Sequence, residues 1–130
     1  MRLIIFLLFG FACRGGTEIS SKSCTKELKA AAVGNWKYKK ELNCYEGSKA
    51  FYDKLNSSKS CILTMTLEQV KSVIGEPTGR PVVGDRGITI LSYRLAPCET
   101  GSCRSLEFSF DSSMKSEGFI EAVETMTQEP

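Results

Sequence analysis

The chain contains no histidine. That absence removes the usual general base, the partner of a serine or cysteine nucleophile, and the commonest nitrogen ligand for zinc. It also lacks an apolar run able to cross a bilayer as a helix, which takes about 20 residues; Leu3 to Ala12 covers ten. No Gly-Lys-Ser/Thr pattern is present to cradle phosphate, and Gly75, Gly79, Gly84 and Gly87 read as punctuation of a loop before a strand. No basic stripe interleaves with aromatics. Seventeen Lys and Arg stand against fifteen Asp and Glu, and Lys22, Lys26 and Lys29 form only a short positive flank, so nucleic acid is not an expected partner. Glu121 and Glu124 fall on opposite faces of a strand and make no acid–base pair. The expectation is a protein that is not an enzyme, with no cofactor, no metal site and no small-molecule substrate.

What is present begins with location. The apolar stretch Leu3 to Ala12 ends on Cys13, after which the chain turns abruptly polar. This is the layout of an export signal over residues 1–12. Cleavage after Ala12 leaves an N-terminal cysteine, the residue that bacterial lipoprotein processing acylates. The alternative is an ordinary secretory signal, with Cys13 pairing in a disulfide. The lipoprotein reading is preferred, because Ala12 is small and residues 13–23, rich in Gly and Ser, read as a flexible tether. The expected location is the cell envelope, lipid-anchored, on the periplasmic face of an outer membrane where there is one. Residues 24–130 are of a length for one compact α+β domain.

Six cysteines in an exported chain predict disulfides. Cys98 and Cys103, with four residues between them and strand-like flanks on both sides, suit a bridge across a hairpin mouth. Cys44 is expected to pair with Cys61; Cys24 is left over, or pairs with Cys13 if that residue is not acylated. A thiol-dependent oxidoreductase using Cys98 and Cys103 is a distant alternative, since redox dithiols normally hold two intervening residues.

Helix signals come first along the chain and strand signals second. Thr25 to Val33 is rich in helix formers and stops at Gly34. Trp36, Tyr38, Leu42 and Tyr45 punctuate a lysine-rich stretch, and Ser48 to Leu55 places Phe51 and Leu55 on one helical face. Thr66 and Gln69 form a capping box for a helix that buries Leu67, Val70, Val73 and Ile74, with Gly75 and Pro77 ending it. Ile88 to Leu95 is dense in strand formers; its apolar phase shifts from Ile88/Ile90 to Leu91/Tyr93/Leu95, which predicts a bulge near the middle. Leu106, Phe108 and Phe110 alternate with polar residues, and Phe119 to Val123 reads as a third strand. The predicted architecture is two or three N-terminal helices packed on a three-stranded antiparallel meander.

A resemblance rests on these residues in order. Leu63-Thr64-Met65-Thr66 leading into Glu68-Gln69-Val70 and closing on Ile74-Gly75-Glu76-Pro77, then Tyr93-Arg94-Leu95, then Leu106 to Asp111 and a glycine at 118, resembles the SmpA/OmlA (BamE-like) family of small envelope lipoproteins. That family includes an accessory of the outer-membrane β-barrel assembly machinery and shares its fold with the repeats of the β-lactamase inhibitor protein. The resemblance covers about Leu63 to Val123. It implies a two-helix, three-stranded fold, no catalysis, and work done through protein or lipid contacts, here as an interaction or scaffolding module in outer-membrane assembly or integrity. The Cys98 to Cys103 loop, the cysteine-rich first half and the Trp36 to Tyr45 insertion depart from the family pattern. The candidate contact surface is the outer face or free edge of the sheet (Tyr93, Glu107, Ser109), the Arg80 to Arg86 loop, and Trp36. The alternative is a secreted inhibitor-like or ligand-binding module of the same fold, without an anchor, using Trp36, Tyr38, Tyr45 and Tyr52.

Overall fold

The structure, a computed structural model, describes residues 20–99 and 102–125. Helix α1 (Ser21–Ala32) begins four residues earlier than its composition predicts, because the Ser20 hydroxyl accepts from the Ser23 amide at 3.1 Å and caps it. The last residues of the expected tether are therefore helical, and Cys13 lies outside the described residues. Next come strands β1 (Trp36–Lys39) and β2 (Cys44–Gly47), then α2 (Lys49–Ser57), capped by Ser48, the single turn α3 (Lys59–Ile62) and α4 (Leu67–Ile74). A two-residue strand β3 (Val82–Val83) and a 3₁₀ turn precede β4 (Thr89–Glu99), β5 (Ser102–Phe110) and β6 (Ser116–Thr125).

The α+β class holds, and β4, β5 and β6 form the expected antiparallel meander, but the sheet is larger and mixed. Its path is β1-β2-β4-β5-β6, with β3 also paired to β4. The lysine-rich stretch that carried no assignment is a hairpin, Trp36 opposite Gly47 and Tyr38 opposite Tyr45, and it joins the sheet through a parallel contact of Tyr45 with Leu95. The alternation explains it: Trp36 and Tyr38 lie on the helix-covered face and Lys37 and Lys39 on the other. At Gly47 any Cβ would stand 2.9 Å from the Trp36 ring, so this hairpin closes only around a residue without a side chain.

The expected bulge in the middle of β4 is absent. Thr89 to Leu95 pair without interruption with Phe110 to Arg104, and the irregularity falls later, between Leu95 and Glu99. The apparent phase shift arises because Thr89, not an apolar residue, holds the first inward position, while Ile90 faces outward opposite Val82 on β3.

The core lies between sheet and helices. Phe51, Leu55, Ile62, Met65, Val70 and Ile74 meet Leu91, Tyr93, Leu95, Leu106, Phe108 and Phe110. Burying Val70 and Ile74 gives α4 its tertiary role; at about 25 cal/mol per Å² of apolar area this face is its main support. The reciprocal Thr66–Gln69 box is formed, with bonds of 3.0 and 3.2 Å. Gly75 ends α4 with φ +101° and an extended ψ of −169°, a positive-φ conformation that suits a residue without a side chain.

The carbonyls orphaned at that helix end are taken by three aromatic side chains. Trp36 Nε1 donates to Ile74 (2.8 Å), Tyr93 Oη to Gly75 (2.8 Å) and Tyr45 Oη to Glu76 (2.6 Å). Three strands thereby grip one helix terminus, satisfying groups that would be costly to bury alone. Thr78 then bonds the β4 backbone at Ser92 and Arg94, sealing the β4 edge between β2 and β3.

The disulfide expectation is corrected in one place. Cys61 bonds to Cys24, tying α3 to α1, with Cα atoms 5.8 Å apart. Cys44 is a buried free thiol. Neighbouring Tyr45 points into the helical layer, so Cys44 points to the opposite side of the sheet, away from Cys61. Cys103 is disulfide-bonded; the side chain of Cys98 lies outside the described residues.

Candidate functional site

The residues singled out from the sequence do not converge. Tyr93, expected on the outer face, is fully buried, because it shares the inward phase of Leu91 and Leu95. Burial pushes its hydroxyl well above the ordinary tyrosine range, so it remains a hydrogen-bond donor to Gly75. Trp36 is half-buried and stacks on Tyr45 with ring centroids 4.9 Å apart. Tyr45 is buried and Tyr52 half-buried, leaving Tyr38 as the exposed member of that aromatic set. Burial also raises the Cys44 thiol above its ordinary value, against the lowering effect of the Arg94 guanidinium, and so favours the less nucleophilic protonated form.

Glu107 and Ser109 do face outward, half-buried, and Glu107 accepts from the Ser92 hydroxyl at 3.4 Å. Register places Glu107 beside Ile120 and Ser109 beside Gly118 on β6. Arg80 and Arg86 are exposed in the loop on the other side of β4, bracketing the exposed Val82 and Val83. The loop and the β5–β6 surface are therefore separate features rather than one site.

A groove that sequence reasoning missed runs along β6, an end strand of the sheet. The start of β6 is tied down: Ser116 donates to the Met65 carbonyl, and Lys115 bridges Thr66. Glu117 is the extra residue of a bulge, since Phe110 pairs with Ser116 and Ser109 with Gly118. From Phe119 onward the strand pairs regularly to Thr125, and among the described residues no strand covers its other edge. Beside that edge lie two adjoining hollows of about 310 and 230 Å³ that share Lys59, Phe119 and Ile120. Leu63 contributes to one, and Tyr52, Asn56 and Glu121 to the other.

The walls combine apolar surface with charge. Ile120 is 62% exposed and Leu63 44%. Phe119 packs on Phe108 at 5.4 Å, and Lys59 Nζ stands 5.9 Å from the Phe119 ring centroid. Glu121 pairs with Arg104 at 2.7 Å, whereas Lys59 forms no ion pair among the described residues. The one available sequence signal was the adjacency of Phe119 and Ile120: on a strand one of two neighbouring apolar residues must face away from the core.

No protein-family model, curated protein or solved structure matches this chain. Among the described residues there is no group of three or more His, Cys, Asp and Glu side chains placed to hold a metal ion, and no helix long and apolar enough to cross a membrane. The site's chemistry is that of an edge and a slot: unpaired backbone groups, exposed aliphatic surface and one uncompensated ammonium. Such a slot can accept an extended chain, whose backbone extends the sheet while alternate side chains meet the helical wall.

Proposed function

We propose that this protein is an exported interaction module of the bacterial cell envelope, lipid-anchored through Cys13, and that a partner chain docks along the β6 edge. The α+β layering is compatible with the SmpA/OmlA-like resemblance, and on that reading the work is scaffolding in envelope assembly or integrity. The observation that carries the proposal is the regular Phe119 to Thr125 edge, flanked by the Lys59–Leu63 wall and bearing exposed Ile120. Soluble proteins blunt exposed edges by charge, bulges or coverage, and a bulge protects only the start of β6. The unanchored inhibitor-like alternative has less support, because three of its four aromatics are engaged in core packing.

The test is photocrosslinking in intact cells that produce the full chain, with the reactive residue at position 120 and, as control, at position 37 on the opposite edge. Adducts at 120 and none at 37 are expected, together with a diacylglyceryl mass on Cys13 of the mature chain. Absence of any adduct at 120 overturns the docking site; an unmodified Cys13 terminus overturns the anchor.

A further inference from the structure

We infer that the chain seated on the β6 edge is β6 of a second copy, paired antiparallel about a twofold axis at Ile120. This rests on the β6 edge being the docking site and names its occupant. Register and charge select this pairing. A twofold pairing centred on Glu121 sets that carboxylate against itself, and one centred on Phe119 brings Glu121 of the other copy to the bulged Glu117. Like charges directly opposite on paired strands are destabilising. Centring on Ile120, Ala122 or Val123 opposes no carboxylates, and of these the Ile120 centre alone brings a carboxylate of one copy level with the Phe119 ring and Lys59 of the other. It sets Glu121 of one copy opposite Phe119 of the other, on the helix-covered face.

Neighbouring strands lie about 4.8 Å apart. The incoming carboxylate therefore arrives beside the Phe119 ring, over which Lys59 stands without an ion-pair partner among the described residues. Glu121 keeps enough exposure, 44% of its side chain, to accept from Lys59 of the other copy while bonded to its own Arg104. The contact repeats by symmetry, as an isologous interface requires. On the outer face the two Ile120 side chains, each 62% exposed in the single copy, cover each other.

The experiment places cysteine at position 120 in the full chain in the producing cell. Antiparallel partners have Cα atoms about 4.5 or 5.5 Å apart, within the range of about 4.4–6.8 Å that a disulfide spans. Ile120→Cys is expected to give a covalent species of twice the chain mass under oxidation, and Lys37→Cys none. Adding Lys59→Glu to Ile120→Cys should lower the yield of that species several-fold. Photocrosslinking at position 120 separates the two readings. An adduct of twice the chain mass supports the inference. An adduct to a different protein, with no Ile120→Cys dimer, overturns the second copy and leaves the docking edge standing, and no adduct of any kind overturns both. A dimer whose yield is indifferent to Lys59→Glu overturns the Ile120-centred register.

Discussion

The two end strands of the sheet are built to opposite rules. β1 is four residues long and turns Lys37 and Lys39 outward, while its inward side is locked: Trp36 stacks on Tyr45, lies 5.3 Å from the Phe51 ring, and donates to the end of α4. β6 is ten residues long, its inward Phe119 is only partly covered, and its outward Ile120 stands in solvent. Short length and lysine are ways of refusing another strand; length and exposed isoleucine invite one. In β1 the Trp36 ring is packed into the fold, and in β6 the apolar surface of Ile120 stays exposed.

Severing the Cys24–Cys61 bond is the largest perturbation of this contrast. It closes a loop of 37 residues between α1 and α3, and α3 carries the Lys59 wall of the slot. The double variant Cys24→Ala/Cys61→Ala should lose about 3–4 kcal/mol, read by urea denaturation. Amide exchange should rise first along α3 while β1 keeps its protection; uniform loss across both edges would mean the bond holds the whole domain rather than the slot side.

Trp36→Ala follows, at about 3 kcal/mol, combining lost aromatic burial with an orphaned Ile74 carbonyl. The same substitution should leave crosslinking at position 120 intact in whatever fraction remains folded. A stability change below about 1 kcal/mol would show that the β1 side is not the locked one.

The β1–β2 and β5–β6 hairpin turns differ in what acid can do to them. The β1–β2 turn is held by the Asn43 side chain, which accepts from the Tyr38 hydroxyl and donates to the Thr78 carbonyl. The β5–β6 turn is held by the Asp111 carboxylate, which accepts from the Ser113 hydroxyl and from the amides of Ser113 and Lys115. The Ser113 hydroxyl and the Lys115 amide hold the Asp111 carboxyl below its ordinary value. Because the folded value is the lower one, the stabilisation is present above the unfolded pKa and is lost as pH falls through the folded pKa. An NMR titration of the Asp111 carboxyl should place its midpoint below that of a free aspartate, with resonances of the β5–β6 turn shifting alongside it. A midpoint at or above the free value overturns the assignment.

Legibility followed how local each signal was. The α4 stop and start were readable because Thr66, Gln69, Gly75 and Pro77 carry them within twelve residues, and β5 because Leu106, Phe108 and Phe110 alternate without exception. The β1–β2 hairpin was not, since four-residue strands give too few alternations and the hairpin's place depends on Tyr45 meeting Leu95, fifty residues on. Tyr93 is misplaced on the outer face although it shares the apolar phase of Leu91 and Leu95, and that phase is the buried one. Cys61 found Cys24 because the sheet separates it from Cys44, a fact that exists only in three dimensions. The slot is of the same kind: Lys59 and Phe119 are brought together by packing, and neither carries a sequence mark of the other.

The smallest effect on stability is the sharpest for function. Ile120→Ala removes an exposed side chain from the end strand and should change unfolding free energy by no more than about 0.5 kcal/mol. Trp36→Ala, by contrast, should be costly to the fold and neutral for docking. The pair forms a double dissociation: one variant loses stability and keeps its adducts, the other keeps stability and loses a covering contact at the edge. The measurement is denaturation of both variants beside photocrosslinking from position 122, which shares the outer face with Ile120. Were Ile120→Ala to destabilise as strongly as Trp36→Ala, Ile120 would be a member of the core, and β6 would be a second closed edge rather than an open one.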